Sequence, residues 1–181
     1  MLFSSVIFLC LFLPVVLALY YCPFFLGRGY KNFILFSISI LFYAWGEPFY
    51  VFLLLASIIF NWIIGLAAKG RFAGLAVGIG VAVNIAVLMA FKYLDFLLYN
   101  IGLITNSEIR LTGLPLPIGI SFYTFQAISY IVDVKRGKAK ARVNPMEIGL
   151  YISLFPQLIA GPIVRYETIA EEIKGRAETI A

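Results

Sequence analysis

Histidine is absent from all 181 residues. The commonest general base and the commonest metal ligand are therefore missing, and with them any Ser-His-Asp arrangement. Cysteine is scarce too. Cys10 and Cys22 stand in or beside the first apolar stretch, with neither metal-ligand spacing nor a third partner, and read as small apolar side chains. Charged residues make up 13% of the chain against about 25% in an ordinary soluble domain, while 62% of residues are hydrophobic. That balance excludes a water-soluble single domain. No run of Gly, Ser, Pro or like charge is long enough for an interdomain linker, and no solenoid period recurs, so one bundle is the simplest reading.

What is present is apolar sequence in lengths that suit a bilayer. Six segments emerge, Leu2–Tyr21, Asn32–Trp45, Phe49–Ala68, Phe72–Phe91, Leu116–Val134 and Glu147–Val164. They predict an all-α, multi-pass transmembrane bundle over residues 1–166 and a cytoplasmic surface helix over 166–181. The first segment has no Lys or Arg before it and no small-x-small cleavage site after it, so it reads as a retained span rather than a signal peptide. The second is short, reaching about 21 Å as a helix, and has to borrow Tyr30 and Gly46 or be shielded by neighbours. Ala44-Trp45-Gly46-Glu47-Pro48 reads as a tight hairpin, with Trp45 at headgroup depth and Pro48 in the first turn of the next helix.

Lys and Arg concentrate in cytoplasmic loops of membrane proteins. With the N-terminus outside, the internal loops hold Arg28, Lys31, Lys69, Arg71, Lys135, Arg136, Lys138, Lys140 and Arg142, and the external loops only Lys92 and Arg110. The expected location is accordingly a bacterial cytoplasmic (inner) membrane, N-terminus out.

In the fourth segment Gly70, Gly74, Gly78, Ala82, Ala86 and Ala90 recur every four residues, a small-residue face that serves helix packing either within the bundle or between two copies. Asn84 lies off that face and can hydrogen-bond to a neighbouring helix. Tyr93–Tyr99 reads as an interfacial amphipathic helix in which Lys92 and Asp95 form a local pair. Thr105–Gly113 is an external loop, closed by Pro115 and Pro117, which suit the first turn of the following helix.

The fifth segment places Tyr123, Gln126, Tyr130 and Asp133 at i, i+3, i+7 and i+10, on one helical face. Polar groups at membrane depth face a bundle interior or a wet cavity, so this face either bonds other helices or walls a polar tunnel. For Asp133, beside Lys135 and Arg136, a plain ion pair is the simplest account. The run Lys135–Arg142 has five basic residues in eight; it is either a solvated loop attracting anionic headgroups or a dock for an acidic cytoplasmic partner. Without aromatic stacking residues it does not suit nucleic acid.

Pro156 and Gly161-Pro162 break the sixth segment, which ends at Arg165. Irregular backbone at membrane depth needs protein or a wet cavity around it, so this is a re-entrant or discontinuous element. Pro156, Gln157, Gly161, Pro162 and Arg165 join Tyr123, Gln126 and Tyr130 as candidate tunnel residues. A re-entrant path returns the chain to the cytoplasmic face, where Arg165 either holds a carbonyl or phosphate of a donor or snorkels to headgroups. From Tyr166 apolar residues recur at helical spacing with i,i+4 Glu–Arg and Lys–Glu pairs, and the pattern stops at Ala181 without a terminator, as a cut chain does.

Three ordered motifs, Phe42-Tyr43-Ala44-Trp45-Gly46-Glu47-Pro48, Leu116-Pro117-Ile118-Gly119-Ile120-Ser121-Phe122-Tyr123-Thr124-Phe125-Gln126 and Phe155-Pro156-Gln157-Leu158-Ile159-Ala160-Gly161-Pro162-Ile163-Val164-Arg165-Tyr166, resemble membrane-bound O-acyltransferases. The likeness covers the whole chain and is closest to the membrane subunit of the alginate O-acetyltransferase type, with the D-alanyl transfer protein of teichoic acid synthesis more distant. It implies the N-terminal part only of a longer enzyme whose essential histidine lies in the later half. It implies an activated acyl donor such as acetyl-CoA on the cytoplasmic side and a cell-surface polysaccharide such as alginate outside, reached directly or through a partner acetyltransferase. The partners so implied are the bilayer and the missing C-terminal half. Without histidine this chain is expected to be inactive alone, with no bound cofactor. The competing class is a non-catalytic channel or transporter subunit, in which Gln126, Asp133 and the broken segment line a permeation path.

Overall fold

The computed structural model describes residues 5–21, 27–107, 110–161 and 164–169. Their regular structure is all helical, without a strand among the described residues. A π-helical turn Phe8–Phe12 runs into α1 (Leu13–Tyr21), followed by α2 (Arg28–Gly46), α3 (Val51–Ala67), α4 (Ala73–Lys92), α5 (Leu94–Thr105), α6 (Ile120–Lys135), α7 (Pro145–Ser153) and α8 (Phe155–Ala160). Among the described residues, one helix, Ala73–Lys92, is long and apolar enough to cross a membrane; Phe8–Tyr21, Val51–Ala67 and Leu94–Thr105 are shorter apolar helices.

The second apolar stretch gains a full turn at its start. α2 begins at Arg28 and has 19 residues, a length of about 28 Å. Lys31 supports that extra turn, its ammonium standing 5.0 Å from the Tyr20 ring and tying the end of α1 to the start of α2. Pro48 does not open the next helix. It lies in the turn between α2 and α3, and α3 starts at Val51, whose N–H donates to Glu47 O at 3.1 Å. Nor do Pro115 and Pro117 enter a first turn. Residues 110–117 are irregular, and α6 begins only at Ile120, behind Gly119 with φ 76°. Two constraints demand glycine there: the left-handed backbone, and Leu158 O, which a Cβ would meet at 2.6 Å.

Periodicity explains which face α3 buries. On α3 the buried residues Val51, Leu54, Ile58, Asn61 and Gly65 follow the helical repeat, and α4 answers with Val77, Gly80 and Asn84. The small-residue stripe of α4 faces the other way: Gly70, Gly74, Gly78, Ala82 and Ala86 are exposed and Ala90 half-buried, so among the described residues it is not the face that meets α3 and α6. A Cβ built at Gly70 or Gly78 would touch nothing. The helices instead join through an amide pair, Asn61 Nδ2 donating to Asn84 Oδ1 at 3.2 Å and Asn84 Nδ2 to Asn61 Oδ1 at 2.8 Å.

α5 buries no residue, as an interfacial helix would. Its Asp95 is not paired with Lys92. The carboxylate instead accepts from Thr112 Oγ1 at 2.5 Å, Thr112 N at 2.8 Å and Gly113 N at 3.0 Å, pinning the loop before α6, and these bonds hold it below the usual carboxylate range.

The sixth apolar segment is two helices. α7 opens on Pro145 behind Asn144, whose side chain accepts from Met146 N, and it ends where Leu154 turns to φ −54°, ψ 113°. α8 then carries Gln157 up against Gln126 in the first half of α6 and Leu158 against Gly119 just before that helix. The chain next turns back, because Tyr166 N donates to Ser129 Oγ at 3.5 Å and Glu167 N to Asp133 Oδ2 at 3.4 Å, near the opposite end of α6. Cys22, Pro162 and the helical pattern from Ala170 to Ala181 lie outside the described residues.

Candidate functional site

The inner face of α6 gathers the polar residues that the spacing singled out. Tyr123, Gln126, Tyr130 and Asp133 are all buried on α6, which packs against α3, α4, α7 and α8. The result is a polar seam through an otherwise apolar core.

At one end of the seam, the hydroxyls of Tyr43 and Tyr123 are buried without a well-formed hydrogen bond. One turn on, Gln126 Nε2 donates to Gln157 Oε1 at 3.3 Å, while Gln126 Oε1 has no partner. That bond joins two candidates from separate motifs. Beside this end a cleft of about 170 Å³ opens between α3, α4 and α6, lined by Leu53, Phe60, Val87 and other apolar side chains, with Asn84, Tyr123 and Thr124 among its polar groups.

Midway, Tyr130 fills the space over Gly65 of α3, where any Cβ would collide with the phenol ring. Its ring meets Tyr166 edge-on at 4.8 Å, and Tyr151 meets Tyr166 at 5.0 Å. Tyr166 is therefore the plug of a three-tyrosine cluster, and it opens a helical turn over residues 166–169. Its hydroxyl accepts from Arg142 Nε at 3.0 Å, and burial pushes that phenol above its usual range despite the nearby guanidinium. Arg142 in turn pairs with Glu147 at 3.3 Å. The last cation of the basic run is thus 8% exposed and structural, not part of a solvated loop.

Asp133 closes the seam and departs from the ion pair expected of it. Its carboxylate accepts from Ser129 Oγ at 3.3 Å and from Glu167 N, and Glu167 pairs with Lys138 at 3.2 Å. Of the other candidates, Gln157 and Gly161 are half-buried, and Pro156 and Arg165 exposed. Tyr43, Tyr151 and the Arg142–Glu147 pair were not marked by spacing. Only Tyr43, one turn from Ser39 on the buried face of α2, carried a local signal.

Phenols and amides of this kind donate and accept hydrogen bonds to a neutral polar group but supply no strong base or nucleophile. Among the described residues no group of three His, Cys, Asp or Glu could hold a metal ion. The seam can line and orient a polar group.

No family model matches the chain, and no solved structure does. Curated proteins do. The "probable alginate O-acetylase AlgI" of Pseudomonas aeruginosa is 40% identical over 189 aligned residues, covering 99% of this chain and 36% of that protein. Its namesake in Pseudomonas putida is 38% identical over 99% of this chain and 38% of its own length. The "peptidoglycan O-acetyltransferase" of Helicobacter pylori is 31% identical over 97% of this chain and 39% of its own length. The chain thus spans little more than a third of the curated relatives it matches.

Proposed function

Because this chain is a relative of the bacterial alginate O-acetylases, a membrane-bound O-acyltransferase type, we propose that it forms the N-terminal, tunnel-lining portion of an enzyme that passes acetyl groups through a membrane to a cell-surface polysaccharide. The observation that carries this reading is the Gln126–Gln157 bond. It places the polar face of α6 against the broken α7–α8 element, where a wall needs both hydrogen-bonding side chains and free backbone groups.

Membrane residence has its own support. Leu41, Phe52, Phe72, Leu75, Phe96 and Ile104 are each exposed large apolar side chains, spread over α2 to α5 and the turn before α4, a surface suited to lipid rather than water. The basic residues also sort by end. The start of α2, the α3–α4 turn, the α6–α7 loop and the segment from Arg165 share one end of the bundle, and among the described residues only Lys92 and Arg110 lie at the other. The turn-back after α8 supports a re-entrant path that returns Arg165 to the basic, cytoplasmic end.

In this reading the chemistry of transfer belongs to the rest of the longer enzyme, with the donor an activated acyl group. The chain purified alone shows no acetyl transfer. Joined to the remaining portion found in its relatives, it supports transfer, and Gln126→Leu reduces the rate at least tenfold while leaving membrane insertion intact. Undiminished transfer by that variant, at equal protein level, overturns the tunnel role.

A further inference from the structure

Antiparallel packing of α4 on α6 brings together two loops that are far apart in sequence. Lys135 Nζ, at the end of α6, lies 3.9 Å from the position a Cβ would take on Gly74, in the first turn of α4. The α3–α4 turn, with exposed Lys69 and Arg71, therefore adjoins the α6–α7 loop, with exposed Lys135, Arg136 and Lys140. The acidic groups described at this end are already engaged: Glu147 by Arg142, Glu167 by Lys138, and Asp133 by Ser129 and the Glu167 amide. The five exposed cations have no acidic partner among the described residues.

Beside them stand Phe72, 71% exposed, and Leu75, 65% exposed. Cations alone would suit any anion, but an aromatic and an aliphatic side chain set next to them suit a surface that is anionic and apolar within a few ångströms. That combination is a bilayer rich in acidic phospholipid. Free phosphate offers no burial for Phe72 and Leu75, whereas the acyl chains beneath an acidic headgroup do.

We propose that this composite rim is an anionic-phospholipid site, with Lys69, Arg71, Lys135, Arg136 and Lys140 holding headgroup phosphates while Phe72 and Leu75 sit among the upper acyl carbons. The proposal is independent of acyl transfer. It concerns how the basic end is seated in the membrane.

The test is native mass spectrometry of the full chain carried from detergent with equal phosphatidylglycerol and phosphatidylcholine. The wild type retains phosphatidylglycerol with at least tenfold preference, and the preference falls as salt rises. Single Gln substitutions in the rim weaken retention about fivefold each, and the combined K69Q/R71Q/K135Q/R136Q/K140Q variant shows no preference. K92Q/R110Q, at the other end, behaves as wild type, and K69R/K135R/K140R keeps the preference, which separates loss of charge from loss of fold. Equal retention of both lipids by the wild type, an undiminished preference in the five-site variant, or displacement of the lipid by glycerol phosphate at equal concentration overturns the proposal.

Discussion

The hydroxyl of Ser39 accepts the amide N–H of Phe155 at 3.3 Å while donating to Leu35 O at 2.7 Å. One buried side chain of α2 thus occupies the N–H that the break between α7 and α8 leaves without a helical partner. Phe155 is fixed on its other side by aromatic contacts with Phe12, Phe42 and Phe8. The discontinuity is therefore a built joint.

Ser39→Ala removes the acceptor and strands a buried amide, a cost of about 1–3 kcal/mol. The expected result is a lower thermal midpoint in detergent with unchanged helical content at low temperature. An unchanged midpoint would mean that the break is satisfied by other means.

The Asn61–Asn84 pair predicts a coupling. Each amide donates to the other, and each also donates to its own helix, to Ser57 O and Gly80 O. Asn61→Leu or Asn84→Leu leaves the remaining amide short of a partner. The double substitution is therefore less damaging than the sum of the singles, by about 1 kcal/mol in a reversible unfolding cycle. Strict additivity would show that the two side chains do not act as a unit.

Asp95 predicts a response to acid. Its hydrogen bonds from the Thr112 hydroxyl, then the Thr112 and Gly113 amides, hold the folded carboxyl below its ordinary value. A depressed value means that the anchoring is complete above the ordinary value and is lost as pH falls through the folded one, below about pH 4. A spin label at Leu114 is expected to be restrained at pH 6 and to gain mobility below that point, whereas in Asp95→Ala it is mobile at both. Restraint persisting in the wild type at pH 3 would assign the anchoring to other contacts.

How much of this was readable in one dimension depended on whether a residue's partner lay on its own helix. The α6 seam was legible because Tyr123, Gln126, Tyr130 and Asp133 report a single face through spacing alone. The packed face of α4 was not: that helix is apolar all round, so periodicity cannot separate inside from outside, and the small-residue stripe pointed outward while Asn84 marked the buried side. Lys92 and Asp95 have the spacing of a helical pair, yet a loop 17 residues beyond Asp95 supplies better-aligned donors. Arg142 looked like its basic neighbours until Tyr166 returned from the far side of a helix break to meet it.

Topology gives the last prediction. In a variant with Cys10 and Cys22 replaced, a single cysteine at Thr105 or Ser107 marks the end that holds Lys92 and Arg110, and one at Ala139 marks the basic end. Thr105 closes α5, which buries nothing, and Ser107 lies just beyond it, so both are open to a polar reagent. Ala139 lies in the loop between α6 and α7, flanked by exposed Lys138 and Lys140. The positive-inside bias predicts a cytoplasmic basic end, and with that orientation Tyr166, held by Arg142 and Ser129, is expected on the same side. A membrane-impermeant maleimide should therefore label positions 105 and 107 in intact cells and position 139 only after permeabilisation. A reporter fused after Ala181 should read cytoplasmic, since a chain that has turned back at α8 has already reached that side by Tyr166. Labelling of 139 from outside would reverse the whole orientation. An external reporter combined with internal labelling of 139 would instead require the segment after Glu167 to cross once more, leaving the turn-back of α8 in place but removing its topological consequence.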